Sequence, residues 1–190
     1  MGHIILVTGG GRSGKSAYAQ RMAERLPEPR AFLATCPPID EEMAMRIRLH
    51  QSARRDRRWH TIEESRNIAR AIEEARDYST ILVDCLTLWI NNLLYDAEQE
   101  NKILTEHDIA RECARLVAAC KAHPGTILVV TNEVGMGITP ENRLARLYRD
   151  LVGRCNQIMA DASTRVVLLV SGQPLEIKNP AESIFQGAAQ

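Results

Sequence analysis

Apolar residues in this chain fall into short unbroken runs, separated by longer stretches in which they recur at helical spacing. The runs that read as strands are His3-Ile4-Ile5-Leu6-Val7-Thr8, Ala31-Phe32-Leu33-Ala34-Thr35, Thr80-Ile81-Leu82-Val83-Asp84, Thr126-Ile127-Leu128-Val129-Val130-Thr131 and Arg165-Val166-Val167-Leu168-Leu169-Val170. They are continuous rather than alternating, as strands buried on both faces of a parallel sheet are. Helical spacing predicts helices near residues 14–25, 40–54, 64–77, 106–122 and 140–162. Strand and helix take turns, which predicts an α/β fold: a three-layer sandwich with a mostly parallel sheet. Residues 96–105 are expected to form a flexible insertion. The chain after Gly172, with Pro174 and Pro180, is expected to be a loosely ordered tail. There is no internal repeat or low-complexity linker, and one domain spanning residues 1–190 is expected.

Composition narrows the function. Hydrophobic residues make up 45% of the 190 and charged residues 25%, as in an ordinary soluble domain. Basic and acidic residues balance at 24 each and aromatics are 4%, which argues against a protein that coats nucleic acid or stacks single strands. No apolar run approaches the roughly 20 residues of a membrane span. Met1-Gly2-His3-Ile4 runs straight into a strand without the features of a signal peptide. Cys36, Cys85, Cys113, Cys120 and Cys155 are odd in number and scattered, which reads as free thiols in a reducing, cytoplasmic setting. Cys113, Cys120 and His123 lie along a helical pattern and lack the paired spacing that zinc sites use.

The first strand runs into Gly9-Gly10-Gly11-Arg12-Ser13-Gly14-Lys15-Ser16, a full match to GxxxxGK[ST], and a helical pattern leaves it. Glycines let successive backbone N–H groups curl around phosphate oxygens, and the helix N-terminus adds partial positive charge. Lys15 would reach the β- and γ-phosphates and the Ser16 hydroxyl would ligate Mg²⁺. Asp84, ending an apolar strand, supplies the acid that such sites place near the metal. Motif and context together predict a P-loop, and hence a nucleoside triphosphate, without saying what is done with it. Asn132 and Glu133, at the end of another strand, lie where open α/β sheets place ligand groups.

Arg46, Arg48, Arg54, Arg55, Arg57 and Arg58 crowd the segment around His50. Such a run is a solvated helix face, a cationic wall for a triphosphate, or a nucleic-acid patch. Met43, Ile47 and His50 share one helical stripe, which turns His50 inward or into a groove. There it is a structural histidine or a nucleophile, since a neutral imidazole nitrogen is what attack on phosphorus requires. His60 and His107 have weaker claims. Arg143, Arg146 and Arg149 read as solvated helix charges or subunit contacts.

These residues add up to more than a P-loop. From about Ile4 to Lys178 the chain resembles the bifunctional adenosylcobinamide kinase/adenosylcobinamide-phosphate guanylyltransferase family of cobalamin synthesis. The resemblance rests on Val7-Thr8-Gly9-Gly10 with Arg12 to Ser16, on Ala34-Thr35, and on Asp40-Glu41-Glu42-Met43 through Arg46-Ile47 to His50. It continues with Trp59 and Thr61 to Glu63. Its most specific block is Thr131-Asn132-Glu133-Val134-Gly135-Met136-Gly137-Ile138, followed by Pro140-Glu141-Asn142-Arg143, Arg149-Asp150 and Gly153 to Gln157.

The resemblance implies a P-loop NTPase-like fold and two reactions. ATP or GTP phosphorylates the aminopropanol hydroxyl of adenosylcobinamide. GTP then gives GMP to His50, with release of pyrophosphate, and the phosphorylated corrinoid takes that GMP to form adenosylcobinamide-GDP. Nucleotide-binding positions implied in the same way are Gly9 to Ser16, Ala34, Thr35, Cys36, Gln51, Ser52, Ala53, Arg54, Glu63 and Asp84, with Ser16 and Asp84 on Mg²⁺. A homotrimer with sites between subunits is also implied. The chain departs from the family at Asp84, where a longer Glu is usual, and after His50, where Gln51 to Arg58 lacks a glycine. The rival readings are a monofunctional small-molecule P-loop kinase and a nucleotide-dependent switch or nucleic-acid partner.

Overall fold

A computed structural model describes residues 2–37 and 58–179. The helix expected over 40–54, His50, residues 51–54, and the chain beyond 179 lie outside the described residues.

Each apolar run forms a strand: β1 (His3–Gly9), β2 (Arg30–Ala34), β4 (Thr80–Asp84), β5 (Thr126–Val130) and β6 (Arg165–Val170). Two further strands, β3 (Trp59–Glu63) and β7 (Gln173–Lys178), lie at the two margins of the sheet. The order is β3-β2-β4-β5-β1-β6-β7, with β1 to β6 parallel and β7 antiparallel to β6. Helices α1 (Lys15–Ala23), α2 (Ile68–Glu74), α3 (Leu86–Gln99), α4 (Glu106–Ala122) and α5 (Arg143–Ala162) connect them. None of the described helices is long and apolar enough to cross a membrane.

The unbroken runs are explained by two cores. Ile4, Leu6, Ile81, Val83, Ile127 and Val129 point to one face, where α2, α3, α4 and α5 cover them. Their neighbours Val7, Leu82, Leu128 and Val130 point to the other, against Ala19 and Ala23 of α1. Successive side chains alternate between faces, so a strand covered on both sides must be apolar throughout. Each buried Val, Leu or Ile contributes roughly 1.5–3 kcal/mol. The expected three-layer α/β sandwich is the fold found.

Helix α4 spans the predicted residues. Thr105 opens it with a capping box: its hydroxyl accepts the Asp108 N–H while Asp108 accepts the Thr105 N–H.

Two expectations are corrected. Residues 96–99 are the last turn of α3, not part of an insertion. Asp96 there takes two hydrogen bonds from Arg66, of 2.5 and 2.8 Å. Leu86, Trp89, Ile90 and Leu94 form the buried stripe of that helix. The chain after Gly172 is not a loose tail, because Gln173–Lys178 pairs with β6. The turn is two residues, Ser171 and Gly172, with φ of 51° and 81°. Positive φ at both positions marks the tight hairpin whose twist suits antiparallel strands. Lys178 closes the motif by donating to the last carbonyls of α5, Ala160 at 3.1 Å and Asp161 at 2.9 Å.

Candidate active site

The parallel strands deliver their carboxyl ends to one margin of the sheet. Pairing sets Glu63 level with Ala34, Ala34 level with Asp84, and Asp84 level with Val130. The glycine-rich loop leaves β1 on the same margin.

Residues 9–14 wrap from strand to helix, as the motif requires. Gly9 has φ of 152°, and a Cβ there would sit 2.5 Å from the Leu169 carbonyl oxygen and 2.7 Å from Ser13 Oγ. Gly14, the N-cap of α1, has φ of 90°. A Cβ on Gly10 or Gly11 would meet nothing within 4 Å, so these two line open space. Lys15 is buried, and its Nζ donates to the Gly10 carbonyl at 3.1 Å, folding the cation over the loop. The Ser13 hydroxyl is buried with no hydrogen-bond partner among the described residues. A concave loop with an orphaned hydroxyl and a cation fits a polyanion. From behind, the β6–β7 turn braces the loop through the Gly172 N–H, 2.9 Å from the Ser13 carbonyl.

Ser16 is exposed in the first turn of α1, and Asp84 is half-buried at the end of β4. Both offer hard oxygen donors, the donor chemistry that suits Mg²⁺. Burial, and then the negative charge of Asp84, push the neighbouring Cys85 thiol up, with Lys15 acting weakly in the opposite sense. Thr35 is wholly buried. Its hydroxyl accepts the Cys85 N–H and donates to the Cys85 carbonyl, each at 2.8 Å, and its own carbonyl accepts from Asn92. The Thr35 side chain therefore ties β2 to the start of α3. Ala34 and Cys36 on either side are half-buried. Glu63 lines an open cleft of about 400 Å³ between β3 and α2, with His60 stacked on Tyr78 nearby.

The end of β5, where Asn132 and Glu133 were expected to serve the site, holds a network that residue-by-residue reading missed. Glu133 Oε1 accepts the Thr8 hydroxyl at 2.6 Å and the Asn156 amide at 3.3 Å. The Thr131 hydroxyl donates to Asn156 Oδ1 at 2.7 Å, which turns the Asn156 amide towards Glu133 and the Asn132 carbonyl. Asn132 donates to Thr87 Oγ1 at 2.8 Å, and Tyr148 donates to the Thr87 carbonyl at 3.1 Å. Burial raises the Tyr148 phenol to about 12, so it remains a donor. Thr8, Thr87 and Asn156 had no assigned role in the sequence, although Thr8 and Asn156 fall within the blocks that carry the resemblance. Arg146 and Arg149 hold the preceding loop, through the Pro140 and Glu141 carbonyls and the Thr139 hydroxyl respectively.

With its cradle on β1 and its acid on β4, one strand apart across β5, this is a P-loop nucleotide-binding enzyme of the α/β class. The particular family follows from comparison: residues 5–177 match the family model CobU, cobinamide kinase / cobinamide phosphate guanyltransferase, and the chain belongs to that family. The bifunctional adenosylcobalamin biosynthesis protein CobU of Salmonella typhimurium (strain LT2) is 42% identical over 182 residues, covering 92% of this chain and 99% of the relative. The protein of the same name in Escherichia coli (strain K12) is 39% identical, with the same coverage. Bifunctional adenosylcobalamin biosynthesis protein CobP of Pseudomonas aeruginosa (strain PAO1) is 37% identical over 174 residues, covering 91% and 96%. A solved structure of the RadB recombinase aligns over 87% of this chain and 73% of that one, with a TM-score of 0.48 and 15% identity.

Proposed function

We infer that this chain phosphorylates adenosylcobinamide with ATP or GTP and then transfers GMP from GTP to the product, giving adenosylcobinamide-GDP and pyrophosphate. The observation that carries the reading is the open cradle of Gly10, Gly11, Ser13 and Lys15 at the sheet margin, in a chain related to bifunctional enzymes along nearly its whole length.

In the kinase step, the loop N–H groups and Lys15 hold the triphosphate while the acceptor hydroxyl attacks the γ-phosphorus. Lys15 is preformed for this, since its Nζ already lies over the loop. Turning it from the Gly10 carbonyl to a phosphate exchanges one hydrogen bond for a charge-assisted one. Ser16 and Asp84 would hold Mg²⁺, which when bound offsets phosphate charge. In the second step a nitrogen of His50 attacks the α-phosphorus of GTP. The bond from that phosphorus to the bridging oxygen breaks and pyrophosphate leaves. A phosphate oxygen of the corrinoid then attacks the same phosphorus, the P–N bond breaks, and His50 regains its electron pair. Ala34, Cys36, Gln51, Ser52, Ala53, Arg54 and Glu63 would contact the nucleotide, with Thr35 shaping the floor between them.

The reading includes a single catalytic domain over residues 1–190, a homotrimer, and a cytoplasmic location. Five free cysteines, four of them buried, support a reducing compartment. Incubation with α-labelled GTP should leave acid-labile, base-stable label on the protein, and His50→Ala should abolish it while sparing the kinase step. Label that persists in the variant overturns His50 as the nucleophile. γ-Phosphate transfer without any covalent nucleotide leaves a monofunctional kinase.

A further inference from the structure

Glu133 presents a half-finished set of contacts in the wall of the phosphate loop. Its N–H donates to the carbonyl of Gly9, the first loop residue, at 3.1 Å. Its Oε1 is clamped between the buried Thr8 hydroxyl and the buried Asn156 amide, itself oriented by the buried Thr131 hydroxyl. Its Oε2 accepts no hydrogen bond from any described residue. Three buried polar residues hold Oε1 in place, while Oε2 is not among the buried unpartnered atoms and so stays open to a substrate.

A carboxylate in this position does not itself bind phosphate, because it would repel the chain of oxygens the loop collects. What it can do is accept a proton. β5 lies between β1, which carries the loop, and β4, which carries Asp84. The end of β5 therefore faces the ground between the phosphate cradle and the metal-holding acid, where an attacking hydroxyl must enter. Clamping one oxygen fixes the direction of the other, which is what a positioned base requires.

We propose that Glu133 is the general base of the kinase step: its Oε2 takes the proton of the acceptor hydroxyl as that oxygen bonds to the γ-phosphorus. The bond from the γ-phosphorus to the β,γ-bridging oxygen breaks, its electron pair leaves with the nucleoside diphosphate, and Glu133 returns the proton to solvent. Thr8 and Asn156 are positioning residues for this base. The assignment rests on the bifunctional reading, because guanylyl transfer proceeds at the α-phosphorus through His50 and makes no use of Glu133.

The test measures both half-reactions on the full-length protein. In Glu133→Gln, which keeps both clamping contacts to Oε1, phosphorylation of adenosylcobinamide should fall on the order of 10²-fold or more in kcat, the usual span for a lost general base. The KM for the triphosphate, and GMP transfer to adenosylcobinamide phosphate supplied ready-made, should stay within about threefold. Thr8→Val, which loosens the clamp without removing the carboxylate, should give an intermediate kcat loss with the triphosphate KM unchanged. Kinase kcat in Glu133→Gln within a few-fold of the parent overturns the proposal. So does an equal fall in both half-reactions at an unchanged melting temperature. Should Glu133→Gln fail to fold, Thr8→Val decides: unchanged kinase kcat there overturns the positioning and the base together. Parent protein that phosphorylates no cobinamide refutes the functional reading instead.

Discussion

The two ends of the central strands are built on opposite rules. At the amino ends of β4 and β5 polar groups are spent inside the protein. The Ser79 N–H and hydroxyl go to the Pro29 and Glu28 carbonyls, and the Thr80 hydroxyl goes to Pro27. Buried His123 donates from Nε2 to the Ala75 carbonyl at 3.1 Å and accepts the Gly125 N–H on Nδ1 at 3.0 Å. Backbones press so close that a Cβ on Gly125 would lie 2.7 Å from the Ser79 carbonyl carbon, and one on Gly2 would lie 2.6 Å from the His123 carbonyl oxygen. At the carboxyl end contacts are held in reserve among the described residues: open space at Gly10 and Gly11, an orphaned Ser13 hydroxyl, one uncommitted oxygen on Glu133. One end is closed for stability. The other is left unsatisfied so that a ligand can complete it.

That contrast can be broken by mutations that mix the two currencies. The largest effect is expected at the open end, where Lys15→Ala should lower kcat/KM for the triphosphate about 10³-fold, equivalent to ~4 kcal/mol, as loss of a main transition-state cation does. Its urea midpoint should hold or rise. At the closed end, Gly125→Ala should destabilise by about 3 kcal/mol in urea unfolding, from forced backbone displacement. Activity per folded molecule should be retained. His123→Leu should cost ~2 kcal/mol by stranding the Gly125 N–H and the Ala75 carbonyl, again without a selective loss of activity. The smallest effect belongs to Ser13→Ala. Removing an unpartnered hydroxyl should leave stability within about 0.5 kcal/mol. The triphosphate KM should nevertheless rise about fivefold, which is ~1 kcal/mol. A selective activity loss at Gly125, or a large stability loss at Ser13, would erase the distinction between the ends.

The closed, two-faced core was readable because burial on both sides leaves no polar position in a strand, and β1, β2, β4, β5 and β6 all carry that mark. The loop was readable because its chemistry demands contiguous residues. The marginal strands were not. β3 mixes Trp59 and Ile62 with exposed His60 and Glu63, as a strand at a sheet margin does, and β7 carries Pro174 just after the tight turn at Ser171 and Gly172, which reads as a loose end. Helix α3, for which the sequence predicted no element, begins at Leu86 directly from β4 with no side-chain cap to mark its start. In the site, Asp84 and Glu133 could be proposed from strand ends. The clamp on Glu133 could not, because Thr8 and Asn156 lie 125 and 23 residues away from it and meet it only through the sheet order.

The position of β1 has a consequence during synthesis. Its hydrogen-bonding neighbours are β5 and β6, and its loop is braced by the turn at Gly172. A ribosome adding about 5–20 residues per second needs on the order of ten seconds or more to travel from the first strand to that turn. Until β5 is made Ile4, Ile5, Leu6 and Val7 have neither partner strand, and until β6 is made they have only one. The first of the sheet's strands to be made thus waits longer for its second neighbour than β2, β4 or β5 does, and the nucleotide cradle gains its brace only once residue 172 has been added.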